Sequence, residues 1–333
     1  MATPDHLTTN VIIPDFQPKI KYNDPVFMAG SCFSEHISDK LDRYKYDVLS
    51  NPFGILYNPV SLASSIDRIS RLAFYSTDEL VLHDGLYHSM DHHGLFSGRN
   101  EAEVIDKINR SIQHAHAHLK KSKVICISPG TAKVYRYIET AAIAGNCHKI
   151  PQSHFTYETL TLSQCIETFE RTIVSIRKLA PEASIIWTVS PVRHTRDGLV
   201  ENQRSKSTLI LAIEEVIRNH PQSGYFPAYE IMMDQLRDYR YYARDLIHPS
   251  PVAVDIIWDI FCDAYIDLQE RVHHAAIERI KRAMEHRTLH DDPEAVRSFA
   301  QGQLKNIDQM ASLLPDLNWQ KERQYFFQYL DND

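Results

Sequence analysis

The chain has 333 residues, of which 43% are hydrophobic, and a formal net charge of −7. This length suits one large domain or one domain with an appendage, and the apolar residues can supply a sizeable core. The modest negative charge gives no support for a nucleic-acid partner or an anionic membrane surface, and no stretch approaches the length of a membrane span.

Predicted strands and helices alternate along the chain. Apolar runs predict strands at residues 26–29, 46–50, 124–127, 184–189 and 225–233. Apolar residues that recur every three or four positions predict helices at residues 34–41, 59–72, 101–120, 159–179 and 206–218. We interpret residues 82–98 as a loop. The alternation indicates a doubly wound α/β domain with a mostly parallel sheet, whose sites lie beyond the carboxyl ends of the strands.

The first strand ends in the turn Gly30-Ser31-Cys32, which leads into a helix. Unpaired N–H groups and the positive end of the helix dipole favour negative charge at such a turn. The hydroxyl of Ser31 can therefore be an attacking group whose oxyanion is stabilised close by. A turn that merely caps the helix is at least as common, so the turn alone leaves both interpretations open.

A second polar stretch precedes the last predicted helix of the core. Ser250 is a good N-cap and Pro251 a good first helical residue, so Asp245 and His248 lie in the loop before that helix. The carboxylate can fix the imidazole tautomer and stabilise the imidazolium. Alternatively, the aspartate caps its own loop beside a surface histidine, and the spacing does not decide between the two.

Polar residues also follow other predicted strands. Gly130 lies in the turn after residues 124–127, and Asn146 follows shortly after. Asn146 can donate its side-chain amide to an anion or form a simple Asx turn. Arg193 and His194 follow residues 184–189. They can bind a polar or anionic substrate group, or Arg193 can pair with a buried carboxylate.

The histidines and cysteines give no sign of a metal or a disulfide framework. Residues 82–98 hold four histidines and two aspartates, but their spacing matches no ligand frame, so we expect neither a metal nor a cofactor. One of these histidines, His92, can line a substrate cleft. The five cysteines are widely spaced and odd in number, which favours reduced, buried thiols. Because the start shows no basic leader or apolar signal core, we expect a cytoplasmic protein.

The composition changes after about residue 266. Two amphipathic helices follow, the second capped by Asp292 and started by Pro293, and an aromatic cluster closes the chain. We therefore predict a main domain at residues 1–266, with an N-terminal arm at residues 1–24, and a helical appendage at residues 267–333. The appendage can pack on the core, cover the site as a lid, or join two copies in a homo-oligomer.

Several short segments share an order with one known family. They are Gly30-Ser31-Cys32-Phe33, Asn-Pro-Phe-Gly at residues 51–54, Gly130-Thr131-Ala132, Asn146-Cys147-His148-Lys149, Ser190-Pro191-Val192-Arg193-His194, and Asp245 with His248-Pro249-Ser250. In these segments the chain resembles the GSCFA-domain proteins, a family related to the SGNH (GDSL-like) hydrolases. The resemblance covers about residues 20–265, and it is far more specific for the family than for a substrate.

The resemblance implies a fold and a set of roles. The implied fold is a flavodoxin-like, three-layer α/β/α sandwich. Ser31 matches the nucleophile, Asp245 and His248 match the other two members of a catalytic triad, and the N–H groups of Ser31 and Gly130 with the Asn146 amide match the oxyanion hole. These assignments rest on the matched motifs and not on spacing.

Two departures from the family pattern concern this site. Gly30 stands where an acidic residue usually precedes the nucleophile, and Cys147 follows Asn146 where an aspartate is usual. Cys32 is a competing nucleophile, because a helix amino terminus lowers the pKa of a thiol. The residue after the nucleophile normally points into the core, however, so we interpret Cys32 as structural.

Three classes of function remain open. The first is a serine acyl-ester hydrolase that acts on a small-molecule or carbohydrate ester, including a carbohydrate O-acetyl ester. The second is an acyl transferase with the same triad, which passes the acyl group to a hydroxyl acceptor. The third is a non-enzymatic glycan-binding or scaffold protein that retains the fold.

Overall fold

A computed structural model describes residues 9–285 and 292–330. The strands are β1 (Val26–Gly30), β2 (Val48–Ser50), β3 (Leu80–His83), β4 (Leu86–Ser89), β5 (Val124–Ser128), β6 (Lys133–Tyr137), β7 (Ile143–Ala144), β8 (Phe155–Thr159), β9 (Ser184–Trp187) and β10 (Ser223–Tyr225). The helices are α1 (Cys32–Arg43), α2 (Pro59–Arg71), α3 (Glu101–Lys121), α4 (Leu162–Leu179), α5 (Leu199–Asn219), α6 (Ala228–Glu230), α7 (Pro251–Tyr265), α8 (Leu268–Arg271), α9 (His274–Glu285), α10 (Pro293–Leu313) and α11 (Gln320–Phe327). Short 3-10 helices cover Thr77–Glu79, Gly94–Phe96, Gln152–His154, Thr195–Asp197 and Tyr239–Tyr241, and a π-helix covers Ile231–Gln235.

Five parallel strands form the central sheet, in the order β2-β1-β5-β9-β10. In chain order this is the flavodoxin-like arrangement 2-1-3-4-5. Side chains of successive residues point to opposite faces of a strand. Accordingly, Phe27 and Ala29 pack in one apolar cluster with α2 to α5, while Val26 and Met28 pack in a second cluster with α1 and α7. The predicted three-layer sandwich is confirmed.

The carboxyl ends of β1 and β5 lie unusually close together. Gly30 pairs with Ser128, and a Cβ atom at Gly30 would lie 2.4 Å from the carbonyl oxygen of Ser128. The φ angle of Gly30 is +152°, which L side chains rarely adopt. Only glycine therefore fits this position, and the turn after β1 is held against the end of β5.

Two stretches with a predicted structure adopt a different one. The last strand ends at Tyr225, and residues 228–233 of the strand predicted at residues 225–233 belong to α6 and the π-helix. The predicted loop at residues 82–98 contains most of the β3–β4 hairpin, which turns through Asp84-Gly85. Both residues have positive φ angles, of 49° and 72°. Asp-Gly is a strong hairpin signal that our interpretation overlooked.

The C-terminal helices pack on the core of their own chain. Ile280 on α9, Ile307 on α10 and Phe326 on α11 belong to the same apolar cluster as α1 and α7. The carboxylate of Glu322 is 1% exposed, and its Oε1 lies 2.8 Å from Lys45 Nζ and 2.7 Å from Lys281 Nζ. The predicted cap is also confirmed, since Asp292 accepts a hydrogen bond from the N–H of Glu294.

Candidate active site

A cavity of about 260 Å³ lies beyond the carboxyl ends of β1, β5 and β9. We call it the small cavity. Its lining includes Cys32, Tyr57, Gly130, Arg193, His194 and His248. Cys32 and His248, which belong to the first and the last of the six short sequence segments described above, therefore meet at this edge of the sheet.

The Ser31 hydroxyl is engaged inside the protein. Ser31 is fully buried and is not among the residues that line the small cavity. Its Oγ caps α1 by accepting from the N–H of Phe33 at 3.3 Å and shares a hydrogen bond with Ser128 Oγ at 3.0 Å. The helix-capping interpretation of this turn is therefore present in the structure, and the next residue, Cys32, faces the small cavity.

The loop before α7 brings Asp245 and His248 into contact. Nδ1 of His248 lies 2.6 Å from Oδ2 of Asp245, while Oδ1 accepts from the N–H groups of Ile247 and His248 at 3.0 Å each. The two backbone hydrogen bonds, followed by that of the His248 side chain, lower the pKa of Asp245 to about 2. A carboxylate only accepts, so Nδ1 carries a proton and the neutral ring keeps its lone pair on Nε2.

Cys32 begins α1 and its thiol is partly buried. Burial, followed by the charge of Glu35, raises the pKa of this thiol, while backbone N–H groups and the Lys206 ammonium act in the opposite direction. The thiol is therefore protonated near neutral pH, and it needs a base before it can attack.

The N–H groups expected in the oxyanion hole have other partners. The N–H of Ser31 donates to Ser128 O at 3.0 Å, and that of Gly130 donates to Tyr57 O at 2.7 Å. Asn146 does not line the small cavity, and its Oδ1 accepts from the N–H of His148 at 2.8 Å, as in an Asx turn. The structure thus brings Gly130 to the cavity but leaves Asn146 beside the β3–β4 hairpin.

Of the three residues expected to bind substrate, two line the small cavity. Arg193 donates from Nε to Met233 Sδ at 3.2 Å and forms no ion pair within the part of the chain that the structure describes. His194 lies 3.5 Å from Asp197. His92, by contrast, is fully buried, with its ring centroid 4.0 Å from that of Phe53. Burial lowers the pKa of His92 to about 3, so it is a neutral core residue.

Sequence reasoning missed Lys206 on α5. Its side chain is fully buried, and Nζ donates to the carbonyl oxygen of Ser190 at 2.6 Å. Burial lowers the pKa of this ammonium, while the charge of Cys32 acts in the opposite direction. No sequence signal distinguishes it from the exposed lysines and arginines of other helices.

A second cavity of about 440 Å³ adjoins the first, and we call it the polar cavity. The two cavities share Thr131 and His194. In the polar cavity, Lys133 pairs with Asp197 at 2.5 Å and lies 4.2 Å from the centroid of the Tyr157 ring. Asn202 is only 3% exposed, and neither of its amide atoms has a partner among the described residues.

The described residues contain neither a metal-binding cluster nor a membrane-spanning helix. Residues 9–285 and 292–330 contain no group of three or more histidine, cysteine and acidic residues placed to hold a metal ion. None of the helices in those ranges has the length and apolar character needed to cross a membrane. The five cysteines are all free thiols.

The chain is an α/β sandwich with a polar turn at the end of its first strand and a cavity at that edge of the sheet. It belongs to the GSCFA family, whose sequence profile matches residues 25–261. Residues 277–332 match the profile of the GSCFA domain protein, C-terminal domain. A search of the curated proteins returned no match.

Proposed function

We propose that the protein is an acyl-ester hydrolase that forms a covalent acyl-enzyme at the small cavity. The supporting observation is that His248, held by Asp245, lines the same cavity as a potential nucleophile, Cys32. A nucleophile, a base and a group that orients the base are the parts of a covalent acyl-transfer site.

Cys32 is the better candidate for the nucleophile than Ser31. The Ser31 hydroxyl is fully buried and bonded to Ser128 and to the N–H of Phe33. Cys32 lines the cavity at the amino end of α1, where N–H groups favour a thiolate. A nucleophile must reach the ester carbonyl, and accessibility therefore favours the thiol.

In the proposed reaction, His248 Nε2 accepts the proton of Cys32 as Sγ attacks the ester carbonyl. The proton then passes to the leaving alcohol, and a thioester forms. Water attacks the thioester while His248 takes one of its protons, which then returns to the departing Cys32 sulfur as the carboxylic acid is released. We assign stabilisation of the oxyanion to the amino end of α1 and the Arg193 guanidinium.

The test is hydrolysis of a chromogenic short-chain ester by three single variants. We expect Cys32→Ala to lower kcat/KM by about a thousandfold or more, because no acyl-enzyme can form. Ser31→Ala should remain within about tenfold of the wild type. Cys147→Ala, which removes another partly buried thiol, is the matched control for nonspecific thiol reactivity. A thioester on Cys32, found by mass spectrometry, would locate the intermediate.

The opposite pattern would overturn parts of this proposal. An active Cys32→Ala protein with an inactive but folded Ser31→Ala protein would return the nucleophile to Ser31. If both variants kept full activity, acyl transfer at this turn would be excluded.

The polar cavity is suited to bind a hydroxyl-rich leaving group or acceptor, such as a carbohydrate. Its lining combines hydroxyl, carboxylate and ammonium groups with the exposed ring of Tyr157, and it shares Thr131 with the small cavity. The same cavity favours acyl transfer to a sugar hydroxyl as a second candidate. Product analysis with acetylated sugars, with and without an added acceptor sugar, separates the two reactions.

A further inference from the structure

Lys206 is buried, and its ammonium has no hydrogen bond to a carboxylate among the described residues. Within the described part of the chain its ammonium forms no ion pair, and the hydrogen bond it makes goes to the uncharged carbonyl of Ser190. The carboxylate of Glu230, whose charge favours the ammonium form, is bonded instead to the hydroxyl of Tyr225, at 3.0 and 2.9 Å. Burial of an unpaired ammonium is unfavourable, so its presence calls for a reason other than stability.

The position of Lys206 connects it with the thiol. Its hydrogen-bond partner Ser190 lines the small cavity together with Cys32 and Arg193. The charges of Lys206 and Cys32 each favour the ionised form of the other, whereas Arg193 opposes the charge on Lys206. The ring of Tyr229, 5.5 Å from Nζ, covers another side of the ammonium.

We propose that Lys206 is the charge partner of the Cys32 thiolate. It is a positioning residue that acts through Cys32 and does not contact the substrate. This role depends on the proposed function in one respect, namely that Cys32 is the nucleophile. Lys206 contributes only its charge to this step, and the proton of Cys32 goes to His248.

Other charged and titratable groups also surround the thiol. They are Glu35 and His36 on α1, Tyr57 after β2, Arg193 and His194 after β9, and His248 before α7. Glu35 acts against the thiolate, so its effect on the thiol is opposite in sign to that of Lys206. The two residues therefore form a natural pair of test sites.

The experiment follows alkylation of Cys32 by iodoacetamide as a function of pH, with peptide mapping to read that cysteine alone. We expect Lys206→Met to move the midpoint of the profile upward by about one pH unit, because the thiolate loses its cation. Lys206→Gln can still donate to Ser190 O but carries no charge, so it should show the same upward shift. Glu35→Gln should move the midpoint downward.

A midpoint that stays at the wild-type value in a folded Lys206→Gln or Lys206→Met protein would overturn the proposal. Thermal unfolding establishes that each variant is folded. If the methionine variant does not fold, the alkylation profile of the glutamine variant decides the test. Alkylation requires no ester substrate. A failure of the charge pairing is therefore distinct from a failure of the hydrolase proposal, which the activity of Cys32→Ala tests.

Discussion

Asp245 has two functions within its loop. One carboxylate oxygen accepts from two backbone N–H groups, and the other holds the ring of His248. The two interpretations that the sequence left open are thus present together. Since the carboxylate both shapes the loop and fixes the tautomer, it links the backbone of this segment to the chemistry we propose.

Asp245→Asn tests this link. An asparagine amide can donate to Nδ1 and so place the imidazole proton on Nε2, where it blocks proton uptake. We expect kcat on a short-chain ester to fall by about 10²–10⁴-fold with little change in KM. Asp238→Asn, which alters another exposed cap upstream of the same loop, should remain near the wild-type rate. Equal loss in both variants would indicate a damaged loop and not a catalytic role.

At the turn after β1, the sequence predicts the Ser31 hydroxyl as the nucleophile, whereas we propose the Cys32 thiol. Local patterns locate a strand end and a helix start, but they do not determine which of two adjacent side chains caps the helix and which faces a cavity. The orientation depends on the packing of β1 against β5, through Gly30 and Ser128. The role we give Lys206 is equally invisible, since burial is a property of the tertiary structure.

At the scale of elements, the clearest predictions came from local chemistry. The start of α7 at Pro251, capped by Ser250, is confirmed because the signal lies within a few neighbouring residues. The predicted strand at residues 225–233 is wrong because its mixed polarity suits either structure. There the hydroxyl of Tyr225 donates to the carboxylate of Glu230, five residues further on, where the chain is helical. The small antiparallel sheet of β6, β7 and β8 was not predicted at all.

The close approach of β1 and β5 predicts a large effect of Gly30→Ala. The added Cβ would lie 2.4 Å from a backbone oxygen, so the strands must separate. We expect a loss of about 2–4 kcal/mol in the free energy of unfolding, measured by urea denaturation. Gly302→Ala is the control, because Gly302 lies in α10 with nothing within 4 Å of the added atom. It should stabilise the protein by about 0.5–1 kcal/mol, and similar behaviour of both variants would contradict the steric argument.

Docking of α11 depends on a buried ionic group. Burial raises the pKa of Glu322, but hydrogen bonds from Lys281 and Lys45 outweigh it and lower that pKa below its usual value. Glu322→Gln would leave two partly buried ammonium groups uncompensated, at a cost of about 3 kcal/mol or more. We expect faster proteolysis near the C-terminus at neutral pH. Lys321→Gln, on the same helix, should leave the cleavage rate unchanged, and equal rates for Glu322→Gln and the wild type would refute this role.

At the scale of the whole molecule, buried histidines make stability depend on pH. Burial lowers the pKa of His92 to about 3 and those of His148 and His274 to about 4. Between these values and the ordinary value near 6.5, the unfolded chain binds more protons than the folded one. Stability is therefore lost as the pH falls below about 6.5.

Urea denaturation at pH 7.5 and pH 5 measures this dependence. Each buried imidazole should cost about 1–2 kcal/mol at the lower pH. His92→Phe removes one titrating group and keeps an aromatic ring against Phe53, so it should reduce the difference between the two conditions. Equal unfolding free energies of the wild type at both values would show that these imidazoles are not buried in the neutral form.

Glu322 is synthesised long after Lys45, the ammonium group it neutralises, and after Lys281 as well. On the ribosome, the apolar face shared by α1 and α7 therefore remains uncovered until α9, α10 and α11 have emerged. A chain without these helices would expose the apolar side chains of that cluster beside the unpaired ammonium of Lys45. Docking of α11 thus joins the earliest helix of the sandwich to one of the latest described, and the order of synthesis sets the order in which this face is covered.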